Sequence, residues 1–265
     1  MRSTERDDAP DSVVGRVMAI LSAFRPTDGD LSLAELARRC GLPKPTVHRL
    51  VRQLGTYGAV EISPRGVRLG MNLFEIGQLA ARPRTLREAA TPHLADLQEA
   101  TGETVHLAVA DGEDVVYVQK LESRRAPAVG SRVGGRMPAY CTAVGKVLLA
   151  HAPAEQIEAL LSRPLRRRTP RTTVAPGLLT RELQRIRDTG IAEEHEESTV
   201  GIACVASPVL DDGGAAVAAV SITARVGVRT DRLAPAVRTA ALGISRSLRH
   251  TVVAVPARDG AGATR

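Results

Sequence analysis

Residues 32–69 constrain the fold more than any other stretch, because they encode two short helices, a tight turn and a hairpin in one order. The first helix begins at Ser32, and Glu35 follows at the capping-box spacing, in which each side chain bonds the other residue's backbone amide. Gly41 ends this helix, since glycine tolerates the left-handed conformation. The second helix begins near Pro45, where a missing amide hydrogen costs no hydrogen bond. This order predicts a helix-turn-helix.

The second helix has two chemically different faces. Its apolar residues recur at helical spacing, at Val47, Leu50, Val51 and Leu54. The opposite face carries His48, Arg49, Arg52 and Gln53, with Lys44 and Thr46 beside the N-terminus. Such a face fits the major groove of DNA, where arginine bonds guanine and threonine or histidine reaches a base or a phosphate. We therefore predict DNA contacts from Lys44, Thr46, His48, Arg49 and Arg52, and an ordinary solvated helix face is the alternative.

A short hairpin follows the second helix. Residues 60–62 and 67–69 alternate between apolar and polar side chains around a turn at 63–66, which predicts the wing of a winged helix. Arg65 and Arg68 would then contact the phosphate backbone or the minor groove, where contacts position the protein more than they select a sequence. Residues 12–70 hold nine Lys or Arg and four Asp or Glu, so the formal charge of +7 is concentrated here, as an acidic partner requires.

Composition limits the remaining classes of protein. A chain of 265 residues is long enough for about two domains. Its apolar runs fall well short of the roughly 20 residues that cross a bilayer, and its N-terminus lacks a signal-peptide pattern. Three widely spaced cysteines, Cys40, Cys141 and Cys204, indicate neither disulfides nor a metal site. We therefore expect a cytoplasmic protein without a cofactor, a metal or a membrane partner.

The sequence also predicts how the chain is divided. We expect disordered tails at 1–11 and 253–265, a winged helix-turn-helix domain at 12–70, a linker helix at 71–84 and a second domain at 85–252. The second domain alternates helices with strands, which predicts an α+β fold with an antiparallel sheet flanked by helices, typical of small-molecule sensors. The linker helix could pack on its twin in a homodimer, which would then read two half-sites.

Five motifs carry a resemblance to the isocitrate-lyase-regulator (IclR) family of bacterial transcription factors over residues 12–250. They are LSLAELARRCGLPKPTVHRLVRQL from Leu31, VRLG ending at Gly70, GGRMPAYCTAVGKVLLA from Gly134, GIAEEHEESTVGIACVASPVLD from Gly190 and AAVSITAR from Ala218. The resemblance implies a C-terminal effector-binding domain related to GAF and PAS sensors, dimers or dimers of dimers, and a pseudo-palindromic operator whose binding a small metabolite alters. The family holds repressors and activators, and we expect a repressor.

The resemblance also implies an effector site at six positions: Ala143, Val144, Glu194, Cys204, Ser221 and Thr223. Residues 221 and 223 share a strand face, and their hydroxyls can bind a carboxylate or a carbonyl, so we expect a small carboxylate as effector. The alternative is that Cys204 is an ordinary buried residue and that the two hydroxyls satisfy each other. The sequence departs from many relatives at Pro45, where they have serine, so the contacts of Lys44 and Thr46 need testing.

An enzyme is the first rival interpretation. Gly145 and Lys146 do not form a phosphate loop, because Val147 stands where that motif needs serine or threonine. Cys141 and His151 are a conceivable nucleophile and base, but the sequence offers no orienting partner.

A metal site and a protein-docking module are the other rivals. The acidic run Glu193–Glu197 places successive side chains on opposite faces of a strand, so at most about half could reach one ion. We interpret this run as a solvated acidic loop. A winged helix can also dock proteins, but the arginine-rich face argues against that use.

Overall fold

The computed structural model describes the backbone of residues 12–123 and 130–253, and their side chains except at 81–83 and 250–253. The chain divides into two units, residues 1–84 and 85–265. The tails that we expected at 1–11 and 253–265 lie outside the described residues, apart from Val253. That residue is the last of a helix and not part of a tail.

The N-terminal unit is a small helical core with a two-stranded wing. Its elements are α1 (Val13–Ser22), α2 (Leu33–Cys40), α3 (Lys44–Thr56), β1 (Val60–Ser63), β2 (Gly66–Leu69) and α4 (Met71–Gln78). The two strands are antiparallel, with Val60 opposite Leu69, and Leu31 bridges to Val67. Leu36 of α2 and Leu50 of α3 lie fully inside the core. The predicted winged helix-turn-helix is therefore confirmed.

The ends of α2 follow the prediction in part. The Ser32 hydroxyl accepts a hydrogen bond from the Glu35 amide at 3.2 Å, and Gly41 ends the helix at φ 66°. The reciprocal half of the capping box was wrong, because the Glu35 carboxylate accepts hydrogen bonds from Arg38 and Arg39 instead. The hydrogen bonds from these two arginines lower the pKa of Glu35 to about 2. Arg39 also pairs with Asp28 at 2.6 Å, which fastens α2 to the preceding loop.

Two helix boundaries differ from the prediction because proline fits anywhere in a first helical turn. Helix α3 begins at Lys44, with Pro43 as its cap and Pro45 as its second residue. The linker helix that we expected at 71–84 ends at Gln78, and Pro83 lies in the first turn of the next helix, which begins at Ala81.

The rest of the chain alternates helices and strands. The elements are α5 (Ala81–Thr101), β3 (Thr104–Asp111), β4 (Asp114–Leu121), β5 (Arg136–Pro138), a 3₁₀ turn (Ala139–Cys141), α6 (Ala143–Ala150), α7 (Ala154–Leu161), α8 (Pro176–Thr189), β6 (Ala192–His195), β7 (Ile202–Leu210), β8 (Ala216–Arg225) and α9 (Thr230–Val253). The six strands β3–β8 form one antiparallel sheet in the order β5-β4-β3-β8-β7-β6.

Each face of this sheet carries its own core. Alternation along β8 turns Val220 and Ile222 towards one core, which includes Leu94 of α5 and Ile244 of α9. The other core contains Val147 of α6 together with residues of α8 and β4. The α+β fold with an antiparallel sheet between helices is confirmed, and it is consistent with a GAF/PAS-like domain. Among the described residues, none of the helices has the length and apolar character needed to cross a membrane.

Candidate DNA-binding surface and effector site

Helix α3 buries one face and exposes the other. Val47, Leu50, Val51 and Leu54 lie in the core. Lys44, His48, Arg49 and Arg52 are exposed, and Thr46 is half-buried. Across the described parts of the chain, the side chains of those four exposed residues have no hydrogen-bond or ion-pair partner. Their polar ends are therefore available to a ligand outside this chain.

The two wing arginines are held differently. Arg65 lies at the exposed tip of the hairpin, where its backbone amide donates to the Ser63 hydroxyl at 3.1 Å. Arg68 lies opposite Glu61 on the neighbouring strand, and its Nε donates to the Glu61 carboxylate at 2.8 Å. Because Glu61 already neutralises Arg68, we expect Arg65 to attract a phosphate more strongly than Arg68 does.

Strand register brings four of the six predicted effector residues together. Glu194 on β6 lies opposite Cys204 on β7, and Cys204 lies opposite Thr223 on β8. Ser221 is two residues from Thr223 and therefore shares its face. The Cys204 sulfur is 3.3 Å from the Thr223 hydroxyl. We call these four residues, Glu194, Cys204, Ser221 and Thr223, the polar patch.

The other two predicted residues begin α6, beside the polar patch. Ala143 and Val144 are buried in the same core that Cys204 packs against. The Thr142 hydroxyl caps the helix by accepting from the Gly145 amide at 3.2 Å. Gly145 lies against the preceding 3₁₀ turn, where an added Cβ would be 2.2 Å from the Ala139 carbonyl oxygen. Glycine is therefore required at this position for α6 to pack against the Ala139 backbone.

His106 on β3 extends the polar patch, although we did not predict it. Its Nδ1 is 3.3 Å from the Thr223 hydroxyl, and its Nε2 is 2.8 Å from the Ser131 hydroxyl. Its ring centroid is 5.0 Å from that of Tyr117. Burial lowers the pKa of His106 to about 3, so the imidazole is neutral at pH 7 and offers one donor and one acceptor. A histidine at an alternating position of an apolar strand was the sequence signal for this role.

Glu194 is fully buried and only half satisfied. Its Oε1 accepts from the backbone amides of Glu197, at 2.5 Å, and Ser198, at 2.9 Å. Its Oε2 accepts no hydrogen bond of good geometry among the residues that the structure describes, although the Cys204 thiol is close enough to lower the pKa of Glu194. Burial is the main reason that the pKa of Glu194 is raised. An unpartnered buried polar atom is costly, so Oε2 is a candidate contact for a ligand.

The acidic run Glu193–Glu197 differs from our interpretation of a solvated loop. Glu194 and Glu197 are both buried, because backbone amides bond the first and Lys146 of α6 pairs with the second. Within the described ranges, 12–123 and 130–253, no three His, Cys, Asp or Glu residues cluster as a metal site would require.

The thiol and imidazole that could have suggested an enzyme lie at opposite ends of α6. Cys141 precedes the helix, and His151 follows it, roughly 12 Å further along for eight residues. Burial raises the pKa of the Cys141 thiol to about 12, so it stays protonated and unreactive at pH 7. These two residues do not form a catalytic pair.

A separate open groove of about 520 Å³ lies where the end of α6 meets α7 and α8. Its lining includes Ile157, Thr180, Leu183 and Arg187, but none of the predicted effector residues. Its side chains therefore offer a control for experiments on the polar patch.

Comparison with known proteins gives concordant matches for both units. The family description "Bacterial transcriptional regulator IclR C-terminal" matches residues 78–246, and "IclR helix-turn-helix domain" matches residues 13–64. The HTH-type transcriptional regulator XynR of Escherichia coli (strain K12) is 34% identical over 213 residues, which cover 79% of this chain and 84% of XynR. The transcriptional repressor IclR of the same organism is 30% identical over 221 residues, or 82% of this chain and 81% of IclR.

Solved structures agree with these matches. The crystal structure of an IclR homolog from Microbacterium hydrocarbonoxydans, complexed with 4-hydroxybenzoate, is similar with a TM-score of 0.85 and 31% sequence identity. The similarity covers 90% of this chain and 100% of that one.

Proposed function

This chain belongs to the IclR family of bacterial transcriptional regulators, and we propose that it is a cytoplasmic repressor whose operator affinity changes when a small metabolite binds beside the polar patch. It is a DNA-binding transcriptional regulator and not an enzyme, in keeping with its two matched domains and its relatives. Repression is supported by relatives named as repressors, including IclR of Escherichia coli.

The observation that carries the effector proposal is the unpartnered Oε2 of buried Glu194 in the polar patch. The hydroxyls of Ser221 and Thr223 and the neutral ring of His106 are on the same sheet face. We propose a small carboxylate as the effector, since hydroxyls and helix N-terminal amides favour one. Burial raises the pKa of Glu194, which favours the protonated form, the form that can donate a hydrogen bond to a carboxylate. The 4-hydroxybenzoate complex of the Microbacterium homologue supports this class.

We expect Thr223→Val to raise the concentration of a small carboxylate that half-releases the operator about fivefold, because the variant removes one hydrogen bond of about 1 kcal/mol. The measurement is fluorescence anisotropy of operator DNA, titrated with a panel of small carboxylates. Thr180→Val is the matched control, since its hydroxyl lines the separate groove. An equal loss in both variants, or a loss only in Thr180→Val, would place the effector away from the polar patch.

For DNA, we propose that Lys44, Thr46, His48, Arg49 and Arg52 face the major groove, while Arg65 and Arg68 contact phosphates at the flanks. The exposure of the α3 cations and their lack of partners among the described residues support this division. Pro45 lies in the first helical turn, between two of the proposed contacts, and so leaves the rest of the α3 face unchanged. A two-fold dimer would present this surface twice to a pseudo-palindromic operator.

We propose that α4 packs on its twin in a homodimer, alone or within a dimer of dimers. Four large apolar side chains of α4 and its C-cap are exposed: Met71, Phe74, Ile76 and Leu79. Helix α1 also exposes apolar side chains, since Ile20 is its buried residue while Val14 and Met18 are exposed. An apolar surface of this kind on a soluble unit is typical of an interface.

Phe74→Glu should raise the dimer dissociation constant about hundredfold or more, because a two-fold interface loses two aromatic side chains, each of which contributes roughly 1.5 to 3 kcal/mol when buried. Sedimentation velocity over a concentration series measures this constant. Leu178→Glu is the matched control, because Leu178 lies in α8 and is similarly exposed, at 53% against 61% for Phe74. If Phe74→Glu raised the dimer dissociation constant no more than Leu178→Glu does, α4 would not be part of the dimer interface.

A further inference from the structure

Lys146 carries a buried charge that DNA binding does not explain. It lies on α6 with its side chain fully inside the domain. Its ammonium is 2.9 Å from the Glu182 carboxylate of α8 and also pairs with the Glu197 carboxylate. A buried ion pair is often no more stable than an apolar pair of the same volume. This ion pair therefore contributes more to the positions of the residues that it joins than to the stability of the fold.

Glu197 connects this ion pair to the polar patch. Its carboxylate pairs with Lys146, while its backbone amide donates to Oε1 of Glu194 at 2.5 Å. The Thr172 hydroxyl donates to the Glu197 carbonyl at 2.8 Å, which holds the same turn from the other side. Glu196, which lies between Glu194 and Glu197 in the sequence, has φ 61°, a left-handed conformation that is uncommon for a residue other than glycine. Several independent contacts thus maintain one shape of the turn.

The ion pair also spans the proposed effector site. Lys146 is three residues after Ala143 and so lies on the same side of α6 as that residue. Through Lys146 and Glu197, the helix that provides one wall of the site is joined to the turn that holds Glu194. We propose that Lys146 is a positioning residue of the effector site, which fixes Glu194 against the start of α6 by way of Glu197. This inference rests on the proposed function.

Glu182 provides a matched control for this role. It is the other carboxylate partner of Lys146, but it lies on α8. Among the contacts of the described residues, none joins its side chain to the turn at 194–198. Loss of either carboxylate leaves Lys146 with one partner. Only the Glu197 arm reaches Glu194.

The test is the titration of Glu194 in the full-length protein, followed by ¹³C NMR of labelled glutamate carboxyl carbons and assigned with Glu194→Gln. The titratable groups around this carboxyl are Glu197 on its own turn, Cys204 on β7, Tyr117 on β4 and Cys141 before α6. In Lys146→Met the turn is released and water reaches Glu194. We expect its midpoint to fall towards the ordinary glutamate value of about 4.3, because regained hydration outweighs the opposite effect of losing the Lys146 charge beside Glu197.

Glu182→Gln should leave that midpoint where it is in the wild type, even if it lowers the melting temperature as much as Lys146→Met does. A wild-type midpoint in Lys146→Met, or an equal shift in Glu182→Gln, would overturn the proposal. The readout needs neither effector nor DNA. Failure to find an effector would therefore count against the proposed function, and an unshifted midpoint would count against the positioning role.

A second comparison applies if Lys146→Met does not fold. Glu197→Gln removes the charge at 197 but keeps an amide oxygen to which Lys146 can donate a hydrogen bond. The double variant Lys146→Met/Glu197→Gln removes that hydrogen bond as well, and it leaves no unpaired charge at position 146 or 197. Both variants are neutral at position 197, and the double variant also lacks the Lys146 charge, whose loss by itself would raise the midpoint of Glu194. We expect the double variant to titrate about half a pH unit or more below the single variant, and equal midpoints would overturn the proposal.

Discussion

We expect Arg52→Ala to weaken operator binding by about 2 to 6 kcal/mol per dimer while affinity for random DNA changes little. Arg52 is exposed on the face of α3 opposite the buried Leu50 and Val51, and the structure describes no residue that bonds its side chain. An arginine that bonds a base through two N–H groups contributes about 1 to 3 kcal/mol of discrimination, and a two-fold dimer forfeits that interaction twice. Competition titrations with operator and random DNA measure both affinities.

Arg65→Ala is the matched control for that experiment. Because Arg65 lies at the tip of the wing, we expect its loss to weaken operator and random DNA alike. The slope of log affinity against log salt should become shallower by about one for each phosphate that the variant no longer neutralises. If Arg52→Ala behaved in the same way, with equal losses on both DNAs, Arg52 would bind a phosphate and would not read a base.

Gly145→Ala should lower the free energy of unfolding of the C-terminal unit by about 3 kcal/mol or more. The added Cβ would be 2.2 Å from the Ala139 carbonyl oxygen and 2.3 Å from its Cα, so backbone has to move. For a unit of this size we expect the melting temperature to fall by about 6 to 12 °C. Differential scanning calorimetry or circular dichroism of the full-length protein measures this change.

Gly177→Ala controls for the replacement of a helical glycine in the same unit. The nearest atom to its added Cβ, Nη1 of Arg181, is 4.0 Å away and belongs to a flexible side chain. We expect a small gain in stability, since alanine is the better helix former. If Gly145→Ala melted like Gly177→Ala, α6 would not lie against Ala139, and the walls of the effector site would be arranged differently.

The sequence predicted those parts of the molecule that local signals determine. Ser32 and Gly41 mark the two ends of α2 at the positions that the structure shows. Alternation at 60–62 and 67–69 predicted the two strands of the wing, which the structure places at Val60–Ser63 and Gly66–Leu69. Alternation at Ser221 and Thr223 placed both hydroxyls on one face of the sheet, because side chains of a strand repeat every two residues.

The remaining features depend on partners that are distant in the sequence. Glu197 looked like part of a solvated loop because Lys146, which neutralises it in the core, is 51 positions away. His106 reaches Thr223 across 117 positions through the pairing of β3 with β8, which no local pattern encodes. The Glu35 carboxylate bonds two arginines and not the Ser32 amide that we predicted, because charged donors form stronger hydrogen bonds with a carboxylate.

The most direct test of a ligand-controlled operator binder uses the full-length protein and fluorescent DNA from upstream of its own and neighbouring genes. Binding is measured against excess random DNA at two salt concentrations, with and without a panel of small carboxylates. We expect selective binding that weakens with salt and that at least one carboxylate releases. Complete competition by random DNA would contradict sequence-specific binding. An operator affinity that no carboxylate in the panel changes would contradict control by a small carboxylate.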